Sequence, residues 1–258
     1  MRALVTGGGK RLGRAMALKL AEHGYDVAVH YASSTDAAEA TATDIRAMGR
    51  RAVTLEADLL EKGGAEALLP AAATALGGPI TCLVNNASIF EHDSLETATR
   101  DSWDRHIDSN LRAPFILTQQ LAAQAIPQQV DDKGRAIAAA IVINMIDQRV
   151  RKLTPEFMTY TLAKSALWTL TRTSAQALAP RIRVNGIGPG PTLRGPRQSE
   201  SQFSRQCAHT PLQRGADPAD ITAALVYLLD APSVTGQLIC IDSGQHISWE
   251  TPDVVGLE

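Results

Sequence analysis

Tyr160 and Lys164 lie four residues apart in TYTLAKSAL, so in a helix they share one face. A tyrosine titrates at about 10 and exchanges protons poorly at neutral pH unless something stabilises its anion; a neighbouring ammonium would do so. Thirteen residues before that tyrosine, the apolar run AAAIVINMI ends in a carboxylate, Asp147. A carboxyl beside a tyrosine hydroxyl can accept from ring N–H groups or relay a proton. Desolvation would raise the Asp147 pKa, whereas Lys164 or Arg11 nearby would lower it, and the sequence leaves that balance open. The plain alternative is a loop aspartate that caps a turn.

A second constellation is TGGGKRLG, Thr6 to Gly13, between a short apolar run and an amphipathic segment. Glycines there let the backbone approach a pyrophosphate, and a helix N-terminus stabilises its charge. Thr6, Gly7, Lys10, Arg11, Leu12 and Gly13 are the residues expected to hold it. A Walker-type loop is excluded, because Arg11 follows Lys10 where Ser or Thr is required. The next strand ends in VHYASST, with no carboxylate before Asp36 to bind a ribose hydroxyl. His30, Ser33, Ser34 and Lys10 offer hydrogen-bond donors instead, which favours NADP(H) over NAD(H). Ser33 and Ser34 can cap the following helix as well. Asp58 is placed to accept from an adenine amino group, or is a turn aspartate. Leu59, Asn86, Ala87, Pro189 and Gly190 complete the expected cofactor contacts.

Strands and helices in strict alternation would bring these residues together. RALVTG, DVAVHY, AVTLEAD, CLVNNAS, AIAAAIVINMI, RIRVN and QLICID read as strands. Amphipathic segments between them include Ser34 to Met48 closed by Gly49, Glu61 to Leu76, Thr97 to Ala125, Pro155 to Leu178, and DPADITAALVYLLD with Asp217 as cap. Strands apolar on both faces predict an α/β fold: one doubly wound domain over 1–258, with a parallel sheet of about seven strands and helices on both faces. Ligands then bind beyond the carboxyl ends of the strands. The Pro- and Gly-rich stretch 188–206 is expected to be a substrate flap, and 245–258 a tail able to reach a neighbouring subunit.

Composition narrows the partners. The 258 residues are 45 % apolar and 20 % charged, with a net charge of −2. No basic run suggests nucleic acid, and no apolar run approaches the roughly 20 residues that cross a bilayer. Cys82, Cys207 and Cys240 are isolated, as in a reducing compartment, and the N-terminal apolar run is too short for a signal peptide; a cytoplasmic location is expected. His106 and His246 lack metal-type spacing, and no metal is expected.

TGGGKRLG, NNAS, Asn110, Tyr160-x-x-x-Lys164 and RVNGIGPGPT, in this order from Arg2 to about Gly244, resemble the short-chain dehydrogenase/reductases. The resemblance implies a Rossmann fold, a homotetramer, and hydride exchange between NAD(P)H and a small molecule. It implies that Tyr160 protonates the substrate, that Lys164 holds the nicotinamide ribose and lowers the tyrosine pKa, and that Asn110 anchors a water relay. Two positions depart from the family pattern. Its serine is replaced by Asp147, and the second glycine of TGxxxGxG by Arg11.

Both departures are similar to the pteridine reductase branch, including dihydromonapterin reductases, with KRLG-type loops and NNAS followed closely by Phe. That likeness implies that Arg11 touches cofactor phosphate and substrate, that Ser88 hydrogen-bonds within the site, and that Phe90 stacks on a pterin. A plain core role is the alternative for Phe90. The expected activity is NADPH-dependent reduction of a dihydropterin such as dihydrobiopterin or dihydromonapterin, with dihydrofolate as a further candidate. A carbonyl or 3-oxoacyl-thioester reductase is the nearest rival, and a non-catalytic NADPH-binding protein the second. Arg149, Arg151 and Lys152 read as solvated loop charges, or as contacts for an anionic substrate tail.

Overall fold

Side chains alternate between two cores along every central strand. Ala3 and Val5 pack into one buried cluster with Met16, Ile221 and Leu225, whereas Leu4 joins Leu68, Leu69 and Leu117 in the other. Ile141 and Ile143 repeat the pattern against Val142. A strand apolar on both faces needs cover on both sides, and helices supply it.

The computed structural model describes residues 1–195 and 197–251. Strand β1 (Arg2–Val5) leads to α1 (Arg11–Glu22), β2 (Asp26–Tyr31), α2 (Thr35–Ala47), β3 (Ala52–Glu56), α3 (Gly64–Leu76) and β4 (Cys82–Asn85). Helix α4 (Arg100–Ile107), a π-turn (Asp108–Arg112) and α5 (Ala113–Ala123) follow, then a small antiparallel pair, β5 (Gln129–Val130) and β6 (Ala136–Ile137). The second half runs β7 (Ala140–Met145), α6 (Met158–Leu178), β8 (Ile182–Pro189), α7 (Glu200–Ala208), α8 (Pro218–Asp230) and β9 (Leu238–Ile241). The main sheet has seven parallel strands in the order β3-β2-β1-β4-β7-β8-β9. The strand order reverses between β1 and β4, which opens a crevice at their carboxyl ends.

Several boundaries match local chemistry. Gly49 closes α2 at φ 77°, and Asp217 caps α8 by accepting from the Ala219 amide at 2.9 Å. Others depend on remote segments. The expected helix over 97–125 is interrupted by the π-turn. Helix α6 starts at Met158, three residues later than Pro155, because the loop at Asp93 supplies its cap: Asp93 accepts from the Met158 amide through its carbonyl (3.3 Å) and from the Thr159 amide through Oδ1 (3.1 Å). Part of the expected flap is helical, since Ser199 and Gln202 form a capping box for α7. Of the expected tail, 252–258 lies outside the described residues.

Candidate active site

The glycine loop after β1 is a cradle held by side chains from two other strands. Gly7 adopts φ 61°, and a Cβ on Gly13 would sit 2.0 Å from the Gly7 carbonyl oxygen and 2.6 Å from Asn86 Nδ2. Asn86 Nδ2 donates to the carbonyls of Thr6 (2.9 Å) and Gly7 (3.2 Å), and the Thr6 hydroxyl oxygen accepts from the amides of Asn86 (2.8 Å) and Ala87 (2.9 Å). The backbone amides at the N-terminus of α1 and the cationic residues Lys10 and Arg11 thus share one wall of the cavity with Gly7, Leu12 and Gly13. That donor set fits a pyrophosphate.

His30 takes a different role from the expected phosphate donor. It is 2 % exposed, its Nδ1 accepts from the Gly7 amide at 3.0 Å, and its Nε2 donates to the Ala57 carbonyl at 2.9 Å. Both nitrogens are thus spent on bracing the loop, and burial lowers the ring pKa, which keeps it neutral. Ser33 is exposed, and Ser34 occupies the α2 N-cap without a side-chain cap bond. Asp58 accepts from the Leu60 amide at 2.9 Å, as the turn reading expects, and the Leu59 side chain packs in the core. On the other side, Pro189 and Gly190 line the cavity; a Cβ on Gly190 would meet Asp242 at 2.6 Å.

Asp147, Tyr160 and Lys164 converge in the same cavity of about 500 Å³. The Tyr160 hydroxyl donates to Asp147 Oδ2 at 2.9 Å, and Asp147 Oδ1 accepts from the Arg149 amide at 2.8 Å. Lys164 is 2 % exposed and donates from Nζ to the Met145 carbonyl at 2.8 Å. Burial raises the Asp147 pKa above the usual carboxylate range, against the opposing pull of its hydrogen bonds and of the charges on Arg149 and Lys164. Desolvation brings Lys164 down to about 8. Tyr160 moves opposite to the expected direction: burial and the Asp147 carboxylate push it well above 10. Burial is the larger cause, and the Asp147 carboxylate adds to it, because a nearby negative charge disfavours the phenolate.

Asn110, fully buried in the π-turn, ties the NNAS segment in place. Its Nδ2 donates to the Ile89 carbonyl at 2.9 Å, and its Oδ1 accepts from the Ser88 hydroxyl at 2.7 Å. Phe90 remains 45 % exposed at the cavity wall, stacked on Phe157 (centroids 4.3 Å apart, planes at 7°) and edge-on to Tyr160 at 4.7 Å. Arg11, at φ 51°, lines the cavity and donates to the carbonyls of Leu193 and Arg194 at 2.9 Å each, tying the flap to the glycine loop.

Two residues to which the sequence reading gave no role in the site, His106 and Gln148, stand beside these groups. Buried His106 accepts from the Glu91 amide at 3.1 Å and donates to the Thr159 hydroxyl at 2.7 Å, while Thr159 donates to Asp93. This chain links the segment after Phe90 to the residue before Tyr160. Gln148 is 7 % exposed at the cavity wall, and its Oε1 has no partner among the described residues. Phe157 lies just outside α6 at φ 56°, so helical spacing gave no signal for its stacking on Phe90, and His106 carried none either.

Residues 9–246 match the family described as Enoyl-(Acyl carrier protein) reductase. The 3-oxoacyl-[acyl-carrier-protein] reductase FabG of Staphylococcus epidermidis is 30 % identical over 250 residues, which is 95 % of this chain and 98 % of that one. The crystal structure of FolM alternative dihydrofolate reductase 1 from Brucella suis, in complex with NADP, is 45 % identical with a TM-score of 0.90, covering 98 % of this chain and 97 % of that one. Its counterpart from Brucella canis, also complexed with NADP, is 43 % identical with a TM-score of 0.88 and the same coverage. The chain belongs to the short-chain dehydrogenase/reductase family, as an oxidoreductase with a single Rossmann-type domain.

Proposed function

We propose that this protein is an NADPH-dependent reductase of dihydropterins, and that Tyr160 and Asp147 deliver the proton. The observation that carries the reading is the Tyr160–Asp147 hydrogen bond at 2.9 Å in a cavity that Phe90 also lines. Support comes from the FolM structures, which are described as alternative dihydrofolate reductases in complex with NADP and are 45 % and 43 % identical to this chain.

The glycine loop, Lys10, Arg11, Ser33 and Ser34 would hold the phosphates, and Lys164 the nicotinamide ribose. When bound, NADPH supplies the hydride for a ring carbon, C6 in the dihydro-to-tetrahydro step. The chain's own part is the proton for the adjacent ring nitrogen. Tyr160 rests protonated in the neutral range and would give its hydroxyl proton to the ring nitrogen; the raised pKa of Asp147 suits it to return a proton from Oδ2 to the tyrosine oxygen and to regain one from solvent. Buried Lys164 is fixed by the Met145 carbonyl and tunes the pair through its charge. Phe90 offers its ring to a flat heterocycle. A cytoplasmic homotetramer belongs to the same reading: α4, α5 and α6 expose Trp103, Phe115 and Leu162, suited to contact with another subunit.

The FabG relatives favour a second reading, reduction of a 3-oxoacyl thioester or another carbonyl. The two readings differ at Asp147, since orienting a ketone needs only a hydroxyl. NADPH consumption measured against dihydrobiopterin, dihydromonapterin and an oxoacyl thioester decides between them. Pterin turnover is expected, falling about 10²–10⁴-fold in Asp147→Ala. Thioester turnover without pterin turnover overturns the reading, and tight NADPH binding with no turnover would leave a binding protein.

A further inference from the structure

Phe90 and Tyr160 belong to different segments, the loop after β4 and the first turn of α6, and His106 of α4 is bonded to both. Its imidazole is fully buried, and burial lowers the ring pKa, which keeps it neutral. A neutral ring has one donor and one acceptor. Nε2 accepts from the Glu91 amide at 3.1 Å, so Nδ1 carries the hydrogen and donates to the Thr159 hydroxyl at 2.7 Å. Thr159 donates in turn to Asp93 Oδ2, which also accepts from the Ser102 hydroxyl at 3.1 Å. From the amide beside Phe90 to the Asp93 carboxylate, every hydrogen therefore points one way. The Phe90 backbone is gripped on both flanks by α4 and the π-turn after it: Asn110 holds the Ile89 carbonyl at 2.9 Å, and His106 holds the Glu91 amide. Helix α6 has no side-chain cap of its own. Phe157 stands at its N-cap at φ 56°, and Asp93 fastens the Met158 and Thr159 amides instead. The helix that carries Tyr160 is thus anchored to the Phe90 loop, with the His106 and Tyr160 rings edge-on at 6.0 Å.

A serine at the N-cap would close α6 with far less buried polarity. What the longer route adds is a fixed distance between two groups that meet the same substrate, where an error of about 1 Å can cost roughly 10²-fold in rate. Asp93, His106 and Thr159 do not themselves line the cavity, so they act through their neighbours. We propose that His106 is a positioning residue for the reaction. Through Glu91 it sets the Phe90 ring that receives the substrate, and through Thr159 it sets the Tyr160 hydroxyl that donates the proton. One imidazole thereby fixes where the substrate lies relative to its acid. This rests on the reading of Tyr160 as proton donor and applies to a pterin or a carbonyl substrate alike.

The experiment measures kcat, KM and NADPH affinity in the full-length protein, with whichever substrate of the panel above it turns over. Thr159→Val removes the hydroxyl at nearly constant volume; kcat should fall about tenfold with KM within about twofold. The solvent deuterium isotope effect on kcat should rise, because a displaced Tyr160 slows the proton step, and Thr159→Ser should restore both. His106→Asn keeps a donor close to the Nδ1 position but no acceptor at Nε2. It should raise KM roughly three- to tenfold, more than it lowers kcat. NADPH affinity should hold in all three variants. Losses in kcat, KM and NADPH affinity that go together, with the isotope effect unmoved, overturn the inference by showing a network that only holds the fold. If Thr159→Val does not fold, the split between KM and kcat in His106→Asn carries the test. Unchanged kcat and isotope effect in Thr159→Val, beside an inactive Tyr160→Phe, overturn the positioning role and leave the proton donor intact. An active Tyr160→Phe removes both this inference and the reading beneath it.

Discussion

The two halves of the cavity are built on opposite principles. On the cofactor side, potential hydrogen bonds are closed within the protein: both His30 nitrogens, the Thr6 hydroxyl and the Asn86 amide are spent on the loop itself. On the substrate side, Gln148 Oε1 and Arg149 Nε are buried without partners among the described residues, Phe90 is half exposed, and Asp147, Tyr160 and Lys164 all have shifted pKa values. The first half is a closely packed cradle, with no room for a side chain at Gly13. The second holds buried polar atoms without partners beside acids and bases whose pKa values are displaced, the pattern expected where chemistry is done.

The contrast can be broken most severely at Gly13. A Cβ there has no room, so Gly13→Ala should cost about 1–3 kcal/mol in the loop, weakening NADPH binding by roughly 5- to 150-fold. Fluorescence titration with NADPH checks this, and unaltered affinity would show that the cradle is soft. Next comes pH. Lys164 carries its ammonium below about 8 and loses it above, so kcat/KM should decline as pH rises through about 8, by about tenfold per unit at the steepest. A profile flat from pH 7 to 10 would mean that this charge is dispensable. The smallest effect falls on the aromatic wall. Phe90→Ala removes a stacking surface of about 0.5–1.5 kcal/mol, so the pterin KM should rise roughly two- to twelve-fold while NADPH affinity holds. Equal losses in both constants would blur the division between the halves.

Much of the cofactor half was legible in the chain. Glycine spacing reports where backbone must approach a phosphate, and alternating strands report the crevice that lies beyond them. The reading of His30 failed because nothing local shows that a polar strand residue turns inward to an amide 23 positions earlier. The substrate half was legible in part. Tyr160, Lys164 and Asp147 stood out by type and spacing, but the direction of the tyrosine shift follows from burial and the 2.9 Å contact with Asp147. The π-turn at Asn110 and the cap that Asp93 gives α6 were invisible, since each depends on partners far away in sequence.

The order of strands and helices, the glycine loop and the identity of the reactive groups were determined by the sequence, because hydrophobic period, backbone freedom and side-chain chemistry are local properties. Tertiary structure decided which polar atoms are satisfied and which way each acid and base is shifted. Those outcomes depend on desolvation and on distances between remote segments, and such quantities exist only once the chain has closed on itself.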